Sequence, residues 1–430
     1  MKAAYATLGC KVNQYETVCI QNEMEALGFE SVSFEEYADV YIINTCCVTA
    51  EGEKKSRNMI RRAKKKNPVA SVAVCGCFSE KDGGKAALSC GADIVFGSAD
   101  KGKIPEKLCQ FIKNRQGYIF DKKVTQYPEI EPLTVKGGER TRATVKVEDG
   151  CNNFCSYCII PYVRGRVRSK EPLAVINEIE GLVKKGYCEF VITGIHLASY
   201  GKESGKYELT SLIEQIAKTD GVERIRLGSL EPTYITEETA KRLSKIKELC
   251  PHFHLSMQSG CDKTLKEMNR KYTSERFYES VILLRKYFDN PAITTDILTG
   301  FPNESEEDFK EGAEFIKKVG FAQAHIFPYS IREGTVAAKL ENQVPESEKA
   351  KRVKALSEIT NKSREDFLKT QIGKEHKVLF EQRKGEFFEG YAENYVPVYV
   401  KCEKELTNII ALTKIEKLEN GICYGKIVEF

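Results

Sequence analysis

Short apolar runs alternate with helix-like patterns in the first part of the chain, over residues 1–118. Four of these runs have the length and composition of buried strands, and they lie at residues 3–8, 40–45, 72–75 and 94–96. Strands of this length that alternate with amphipathic helices are typical of a parallel sheet with helices packed on it. The pattern therefore predicts an N-terminal open α/β sheet domain.

A second alternation of strands and helices begins after a polar connector. Residues 119–140 contain Pro128, Pro132, Gly137 and Gly138 and lack helical periodicity, so we predict a linker there. Six further strand candidates follow, at residues 144–148, 190–193, 224–227, 253–257, 293–298 and 324–328. Six βα-type units favour a TIM-like partial (βα)6 barrel over residues 141–370, with its chemistry at the carboxyl ends of the strands.

The last segment, residues 371–430, changes character again. A polar helical stretch at residues 345–372 precedes β-type runs at residues 377–380, 398–400, 409–412 and 422–428. These short strands predict a C-terminal small β-barrel, which would either bind an oligonucleotide or serve as a packing module. The predicted fold class is therefore α/β, with an open sheet domain, a central partial barrel and a small β-barrel.

Length and charge add one local feature to this picture. The chain has 430 residues and a 41% hydrophobic content, which is enough for more than one core. The 66 Lys and Arg residues nearly balance the 62 Asp and Glu residues, but basic side chains crowd one predicted helix just before residue 67. Candidates for contact with RNA phosphates are Arg61, Arg62, Lys64, Lys65 and Lys66. A solvated helix face is the alternative interpretation.

The segment CNNFCSYC at residues 151–158 places three cysteines close together. A [4Fe–4S] cluster normally takes four cysteine ligands, so Cys151, Cys155 and Cys158 would leave one iron open to a small molecule. The spacing matches the signature of radical S-adenosylmethionine (SAM) enzymes. Structural zinc is the weaker alternative, because it needs four ligands and no His lies between residues 100 and 190.

The overall use of cysteine bears on the compartment. Sixteen cysteines in 430 residues fall short of the density of disulfide-rich secreted scaffolds. The first residues form a strand-like run rather than a signal peptide, and no apolar run approaches the thickness of a bilayer. We therefore expect a reducing, cytoplasmic setting and no membrane association.

Three more cysteines, Cys10, Cys46 and Cys77, each end a predicted strand of the first domain. Strand ends of an open sheet converge at one crevice, so these thiolates could bind a second cluster. Spacing alone leaves ordinary buried cysteines as the commoner interpretation. Cys47 and Cys75 also lie near enough in sequence to compete as ligands.

Motifs along the whole chain resemble those of the methylthiotransferase family. In the first domain they are LGCKVNQYE at residues 8–16, NTC at residues 44–46 and GC at residues 76–77. In the barrel they are TGIHL at residues 193–197, RIRLGSLEP at 224–232, QSGCD at 258–262 and DILTGFP at 296–302. The tail is similar to the TRAM domain, a small RNA-binding barrel. The residues after Cys10 are most like those of the threonylcarbamoyladenosine tRNA methylthiotransferases.

This resemblance implies insertion of a methylthio group at carbon 2 of N6-threonylcarbamoyladenosine, the purine just 3′ of the anticodon in certain tRNAs. It implies two [4Fe–4S] clusters and SAM as cofactors. The SAM-cleaving cluster would bind the cysteines of the CNNFCSYC segment, and a sulfur-carrying cluster would bind Cys10, Cys46 and Cys77. It also implies tRNA as a partner and an electron donor such as flavodoxin or ferredoxin. The cofactor does the hard chemistry and the protein orients it.

The resemblance also implies side chains that meet SAM. Tyr157 would lie near the SAM adenine, and Gly194 would permit close approach of SAM to the backbone. Candidates for polar contacts with SAM are Glu231, Gln258 and Asp296. The residues interpreted as structural are His196, Cys188, Cys250, Cys261, Cys402 and Cys423.

Three arginines after the CNNFCSYC segment form a further candidate surface. Arg164, Arg166 and Arg168 alternate along a segment that we predict as extended, so they would share one face. They could meet RNA phosphate or the threonylcarbamoyl carboxylate, because guanidinium forks match both. A solvated strand edge is the competing account.

Other functions remain open at this stage. Isopentenyladenosine tRNA or a ribosomal-protein aspartate could replace threonylcarbamoyladenosine as the substrate. An alternative from a different functional class is a non-catalytic RNA-binding protein whose loops are held together by structural metal ions. A vacant iron position argues against it, since a structural metal site is closed by its protein ligands.

Overall fold

The first domain is an open sheet of six parallel strands in the computed structural model, which describes residues 1–120, 122–138 and 141–430. The strands are β1 (Lys2–Thr7), β2 (Glu30–Val32), β3 (Val40–Thr45), β4 (Ser71–Gly76), β5 (Ile94–Val95) and β6 (Tyr118–Ile119). Their order is β2-β1-β3-β4-β5-β6. The helices between them are α1 (Lys11–Ala26), α2 (Ala50–Lys66), α3 (Cys77–Lys81), α4 (Lys85–Ser89) and α5 (Ile104–Asn114).

Helices cover both faces of this sheet. On one face Ile20 and Met24 of α1 pack with Leu108 of α5, and on the other Ile60 of α2 packs with Phe78 of α3. A parallel sheet with helices on both faces requires buried strands whose side chains are apolar on both faces. The predicted open α/β sheet is therefore confirmed.

The second domain is a partial barrel of six parallel strands. Its strands are β7 (Ala143–Lys146), β10 (Glu189–Thr193), β11 (Arg224–Leu227), β12 (His252–His254), β13 (Ala292–Thr299) and β14 (Gln323–Pro328). They form two three-stranded sheets, and a bridge between Leu230 and Leu255 links one to the other. A short pair, β8 (Glu148–Asp149) and β9 (Arg168–Ser169), lies beside them. The predicted partial barrel is confirmed.

Helices surround this barrel on its outer side. They are α7 (Pro172–Val183), α8 (Leu209–Ile216), α9 (Glu237–Leu243), α10 (Asp262–Glu267), α11 (Ser274–Tyr287), α12 (Glu306–Val319) and α13 (Glu346–Lys369). The short helix α6 (Ile160–Val163) packs instead against α3 of the first domain. The largest apolar cluster lies between strands and helices and contains Phe190, Phe253, Phe277 and Phe321. No helix in the described residues is long and apolar enough to cross a membrane.

The tail is a closed five-stranded barrel. Its strands are β15 (Glu375–Lys384), β16 (Phe387–Ala392), β17 (Pro397–Lys401), β18 (Ile410–Glu419) and β19 (Ile422–Glu429). The small β-barrel was predicted, but β16 was missed because Glu389 and Gly390 interrupt its apolar pattern. Gly390 is required there, since a Cβ at this position would lie 2.5 Å from the carbonyl oxygen of Leu379.

The connector between the first two domains packs against both of them. The Tyr15 hydroxyl of α1 donates a hydrogen bond to the Leu133 carbonyl at 2.5 Å, and the Val135 amide donates one to Glu178 of α7 at 2.7 Å. Residues 121, 139 and 140 of the predicted linker lie outside the described residues. The connector thus contributes to a shared core.

A buried network of charges joins the first domain to the barrel. Arg164 is fully buried, and its Nη1 donates to Glu16 of α1 at 2.6 Å and lies 3.3 Å from Asp149 of β8. Lys146 of β7 pairs with the same two carboxylates at 3.0 and 3.1 Å, and Lys101 lies 3.1 Å from Glu16. These cations hold the pKa of Glu16 well below its usual value, although burial alone would raise it.

The network predicts a large loss of stability when its central cation is removed. We expect Arg164→Gln to lower the free energy of unfolding by about 3–5 kcal/mol, because Glu16 and Asp149 would stay buried without their guanidinium partner. The matched control is Arg166→Gln, since Arg166 is exposed and its guanidinium stacks on Phe154. Its cost should stay below about 1 kcal/mol. Urea denaturation measures both, and equal effects would contradict the assignment.

Candidate active site

Cys10, Cys46 and Cys77 follow the carboxyl ends of β1, β3 and β4, which are neighbours in the first sheet. The strand order reverses between β1 and β3, and open α/β sheets bind ligands in the crevice at such a switch point. A Cβ at Gly9 would lie 3.0 Å from the Cys46 Sγ, so glycine permits the first two loops to approach. The structure thus brings the three predicted cysteines together.

The three thiols are close enough for their charges to interact. Burial, together with the thiols of Cys77 and Cys10, raises the pKa of Cys46 to about 11. Burial also raises the pKa of Cys77, and this is partly offset by Arg164, whose Nε lies 3.4 Å from the Cys77 Sγ. Iron binds the thiolate form. A buried guanidinium at this sulfur therefore favours the form that binds a cluster.

The two competing cysteines differ in position. Cys75 is fully buried on the other face of the sheet, in an apolar cluster with Phe96 and Leu108. Cys47 is also buried, and its thiol donates a hydrogen bond to the Cys77 carbonyl at 3.2 Å. Alternation along β4 therefore separates Cys75 from the three-cysteine set, whereas Cys47 stays next to it.

Cys151, Cys155 and Cys158 lie on a loop that β8 and β9 close at its base. The Cys151 amide donates to the Gly165 carbonyl at 3.0 Å, and the Phe154 carbonyl accepts from Asn269 at 2.9 Å. Burial and the neighbouring thiols of the loop raise the pKa of both Cys151 and Cys158 to about 12. These thiols are therefore placed next to one another at the carboxyl end of the barrel.

Each three-cysteine set has one buried arginine at a sulfur. Arg164 contacts Cys77, as described above, and the Arg270 Nη1 lies 3.3 Å from the Cys155 Sγ. A buried guanidinium is costly unless an anion faces it. Glu16 and Asp149 already face Arg164, and Glu231 lies 3.5 Å from Arg270. A thiolate at each sulfur would add a further anion, so the residues present fit a cluster at each position.

Single-ion sites fit the structure less well. Among the residues that the structure describes, no group of three His, Cys, Asp or Glu side chains is arranged to hold one metal ion. The thiolates of a four-iron cluster bind different irons and need not converge on one atom.

A polar network lies beside the second cysteine loop. Asn153 donates to the Glu231 Oε1 at 3.1 Å, and His196 Nε2 lies 3.1 Å from the Glu231 Oε2. Burial alone would raise the pKa of Glu231, but His196 and Arg270 keep it below its usual value. His196, interpreted from the sequence as structural, belongs to this network through its side chain.

The other predicted SAM contacts lie around the same end of the barrel. Gly194 follows β10, and a Cβ there would lie 2.5 Å from Glu148 Oε2, so a larger residue would have to displace the Glu148 carboxylate. Gln258 adopts a left-handed φ of 67°, and its amide donates to the Asp296 carbonyl. The Asp296 carboxylate lies 3.4 Å from His254. Tyr157 packs, half-buried, against the cluster that contains Phe301. Their contacts with SAM stay predictions.

The prediction that three arginines share an extended face is wrong. Arg164 ends helix α6 and is followed by Gly165 at a φ of 74°, so the chain turns there. Arg164 and Arg168 are buried, whereas Arg166 is exposed. RNA contact therefore stays a prediction for Arg166 alone among the three, and Arg164 instead belongs to the charge network.

The basic helix exists as α2, but its charges are not all available. Lys64 pairs with Asp93 at 2.7 Å, and both Arg62 and Lys66 pair with Glu35. Arg61 and Lys65 are exposed. These two side chains are therefore the strongest of the five candidates for phosphate contact.

Sequence reasoning missed Arg270 and Glu148 and did not place His196 beside the second cysteine loop. The signal for His196 was its place directly after a strand end, where barrel chemistry lies. Glu148 precedes the cysteine loop, which is a similar signal. Arg270 comes from the distant segment after α10, and no local pattern in the sequence connects it with Cys155.

Comparison with known proteins agrees with this geometry. The radical SAM superfamily matches residues 145–316, and the uncharacterized protein family UPF0004 matches residues 2–97. The threonylcarbamoyladenosine tRNA methylthiotransferase MtaB of Bacillus subtilis is 38% identical over 96% of this chain and 93% of its own. The tRNA-2-methylthio-N(6)-dimethylallyladenosine synthase of Clostridium tetani is also 38% identical, over 87% of this chain and 84% of its own.

Among solved structures, the radical SAM methyltransferase TsrM of Kitasatospora setae, determined with cobalamin and a [4Fe–4S] cluster bound, shares the fold. Its TM-score is 0.60 at 14% identity, over 78% of this chain and 77% of that one. The two matching family models agree with the two relatives and with the geometry of the cysteines. The chain therefore belongs to the radical SAM methylthiotransferase family, and SAM and [4Fe–4S] clusters are its cofactors.

Proposed function

We propose that the protein is a tRNA methylthiotransferase that converts N6-threonylcarbamoyladenosine, 3′ of the anticodon, to its 2-methylthio derivative. The observation that carries the proposal is the joining of the two three-cysteine sets by one buried network. Arg164 contacts Cys77 on one side and Asp149 on the other, and Asp149 stands two residues before Cys151. A reaction that uses both sets on one substrate needs such a fixed relation.

The two sets have different roles in this proposal. When bound, the clusters and SAM supply the electron, the 5′-deoxyadenosyl radical and the methylated sulfur. Cys151, Cys155 and Cys158 hold the cluster that binds SAM, with Glu231 and Gly194 beside it. Cys10, Cys46 and Cys77 hold the sulfur-carrying cluster. An external one-electron donor of the flavodoxin or ferredoxin class completes the system.

The substrate assignment is supported by the relatives. Proteins named for threonylcarbamoyladenosine match 96% and 95% of this chain, whereas those named for dimethylallyladenosine match 87% and 83% in the examples from Clostridium tetani and Desulforamulus reducens. The longer matches favour the first substrate. Mass spectrometry of tRNA nucleosides, from cells with and without the protein, tests the assignment. Loss of the methylthio group from the dimethylallyl nucleoside instead would overturn it.

In this proposal residues 1–118 carry the sulfur-donating cluster, residues 141–370 cleave SAM, and residues 371–430 bind RNA as a TRAM-like module. One face of the tail barrel supports the last role. Phe387, Tyr399 and Tyr424 form contacting aromatic pairs, and Lys417 lies 5.3 Å from the ring of Tyr424. Aromatic rings next to cations are typical of surfaces on which bases stack.

The first prediction from this proposal concerns iron content. Protein reconstituted without oxygen should hold two [4Fe–4S] clusters, because two separate three-cysteine sets are present. Replacing Cys151, Cys155 and Cys158 with Ala should leave about half of the iron. Iron and sulfide analysis measures this. Complete loss or complete retention of iron would be incompatible with two sites.

A second prediction separates the roles of the two sets. The variant with Ala at Cys10, Cys46 and Cys77 should still produce 5′-deoxyadenosine from SAM but should form no methylthio nucleoside. Ligand removal in the first domain leaves the barrel loop and its Arg270 in place. A matched control replaces the buried Cys75 with Ala, which should keep both products. Methylthiolation by the triple variant would show that its cysteines do not deliver the sulfur.

A third prediction concerns RNA binding by the tail. Lys414 and Lys426 face each other across β18 and β19, a like-charge pairing that an RNA phosphate would relieve. We expect Lys414→Gln with Lys426→Gln to lower the slope of binding against salt concentration by about 2, since each lysine releases about one counterion. Replacing Arg61 and Lys65 of α2 with Gln should have a similar effect.

The contrasting variant is Tyr424→Ser, which removes a stacking surface but no charge. It should weaken binding of an anticodon stem-loop by about 1–3 kcal/mol and leave the salt slope unchanged. Gel-shift titrations at several salt concentrations distinguish the two signatures. If all variants bound RNA with wild-type affinity and wild-type salt dependence, the tail would not be the RNA-binding module. Point substitutions are preferable to deletion, because Arg226 of the barrel donates hydrogen bonds to the tail backbone.

A further inference from the structure

A cavity of about 540 Å³ lies where all three domains meet. We call it the basic chamber, and its wall includes Lys11 of α1, Val191 of β10, Arg226 of β11 and Tyr395 of the tail. Arg142, just before β7, and Thr144 of β7 also line the chamber. The chamber therefore lies between the first sheet domain, the inner face of the partial barrel and the tail.

Positive charge exceeds negative charge in this chamber. Arg142 pairs with Glu381 of the tail, and Arg226 pairs with Glu189 of β10 at 2.6 Å. Glu189 is already shared with Arg224, at 3.1 Å. Within the described part of the chain, the Lys11 ammonium makes no hydrogen bond or ion pair. Lys11 is exposed to solvent, so its ammonium can pair with an anion that enters the chamber.

The surroundings of the chamber agree with a positive potential. His252 lines the chamber, and burial together with the charge of Arg226 holds its pKa well below the usual value. Its ring therefore stays neutral among the cations. Hydrogen-bonding side chains, Thr141, Thr144 and Gln382, complete a wall that suits a small polar anion.

The chamber is connected with both cysteine sets. Lys11 directly follows Cys10. On β10, Val191 lies on the same face as Thr193, two residues or about 7 Å further toward the strand end. Gly194 and the second cysteine loop follow at that end. A group that extends from a base held between the two sets would therefore reach into the chamber.

We propose that the basic chamber binds the carboxylate of the N6-threonylcarbamoyl group, with Lys11 as its principal partner and Arg142 beside it. This inference rests on the proposed function and adds the group that selects the substrate. A dimethylallyl group has no charge and would leave the Lys11 ammonium unpaired. Sites built to pair with a polar substrate group reject analogues that lack the group.

The test compares anticodon stem-loops that carry threonylcarbamoyladenosine with its free carboxylate or with that carboxylate converted to the amide. Wild-type protein should bind the acid at least about tenfold more tightly, since a hydrogen bond to a charged group is stronger than one between neutral groups. Lys11→Met should weaken binding of the acid to the level of the amide and leave binding of the amide unchanged. Fluorescence anisotropy at fixed salt measures the four affinities.

The matched control is Lys218→Met, which removes one exposed lysine after α8 on the outer side of the barrel. It should keep the wild-type preference for the acid. Iron content and 5′-deoxyadenosine formation without RNA report whether the Lys11 variant is folded. The comparison of acid and amide on wild-type protein is independent of any variant.

The outcomes separate this inference from the proposed function. Equal wild-type affinity for acid and amide, or an unchanged preference in Lys11→Met, would overturn the chamber assignment even if the protein methylthiolates the threonylcarbamoyl stem-loop. Methylthiolation of only the dimethylallyl stem-loop would overturn the proposed function and the chamber assignment with it. A preference for the acid that Lys11→Met abolishes and Lys218→Met retains would establish the chamber as the carboxylate site.

Discussion

The buried pairing of Arg164 with Glu16 and Asp149 is the constraint on which the arrangement of this molecule depends. Glu16 belongs to the helix that begins after Cys10, and Asp149 belongs to the strand that leads into the second cysteine loop. Charges removed from water must be compensated almost completely, or the cost reaches several kcal/mol. The first sheet can therefore occupy only the position in which Arg164 reaches both carboxylates. The same guanidinium contacts Cys77.

Most of the strands could be predicted from the sequence because they are short apolar or alternating runs, and β3 and β11 were located to the residue. The cysteine sets could be predicted because parallel sheets gather their strand ends at one side. The role of Arg164 could not be predicted in this way. Its segment was interpreted as extended, but Gly165 turns the chain and directs Arg164 inward. Burial of a charge depends on partners that come from distant segments.

The same limit applies to the surroundings of the second cysteine loop. Arg270 reaches Cys155 from beyond α10, and Glu231 reaches Asn153 from the end of β11. Each contact joins segments that are far apart in sequence. No local hydrophobic periodicity or residue spacing therefore predicts it. Sequence patterns locate helices, strands and the ends of strands. The side chains that surround the cysteines are brought there by the tertiary fold.

The inner face of the partial barrel explains why the tail belongs to this fold. A complete eight-stranded barrel fills its interior with branched apolar side chains. Here the inner face carries charged side chains instead, and Arg224 and Arg226 lie at the end opposite the cysteine loop. Both donate hydrogen bonds to carbonyl oxygens of the tail, at Tyr391, Ala392 and Glu393. The tail thus closes an interior that would otherwise expose paired charges to water. A polar interior closed at one end leaves space for a polar substrate to enter from the other.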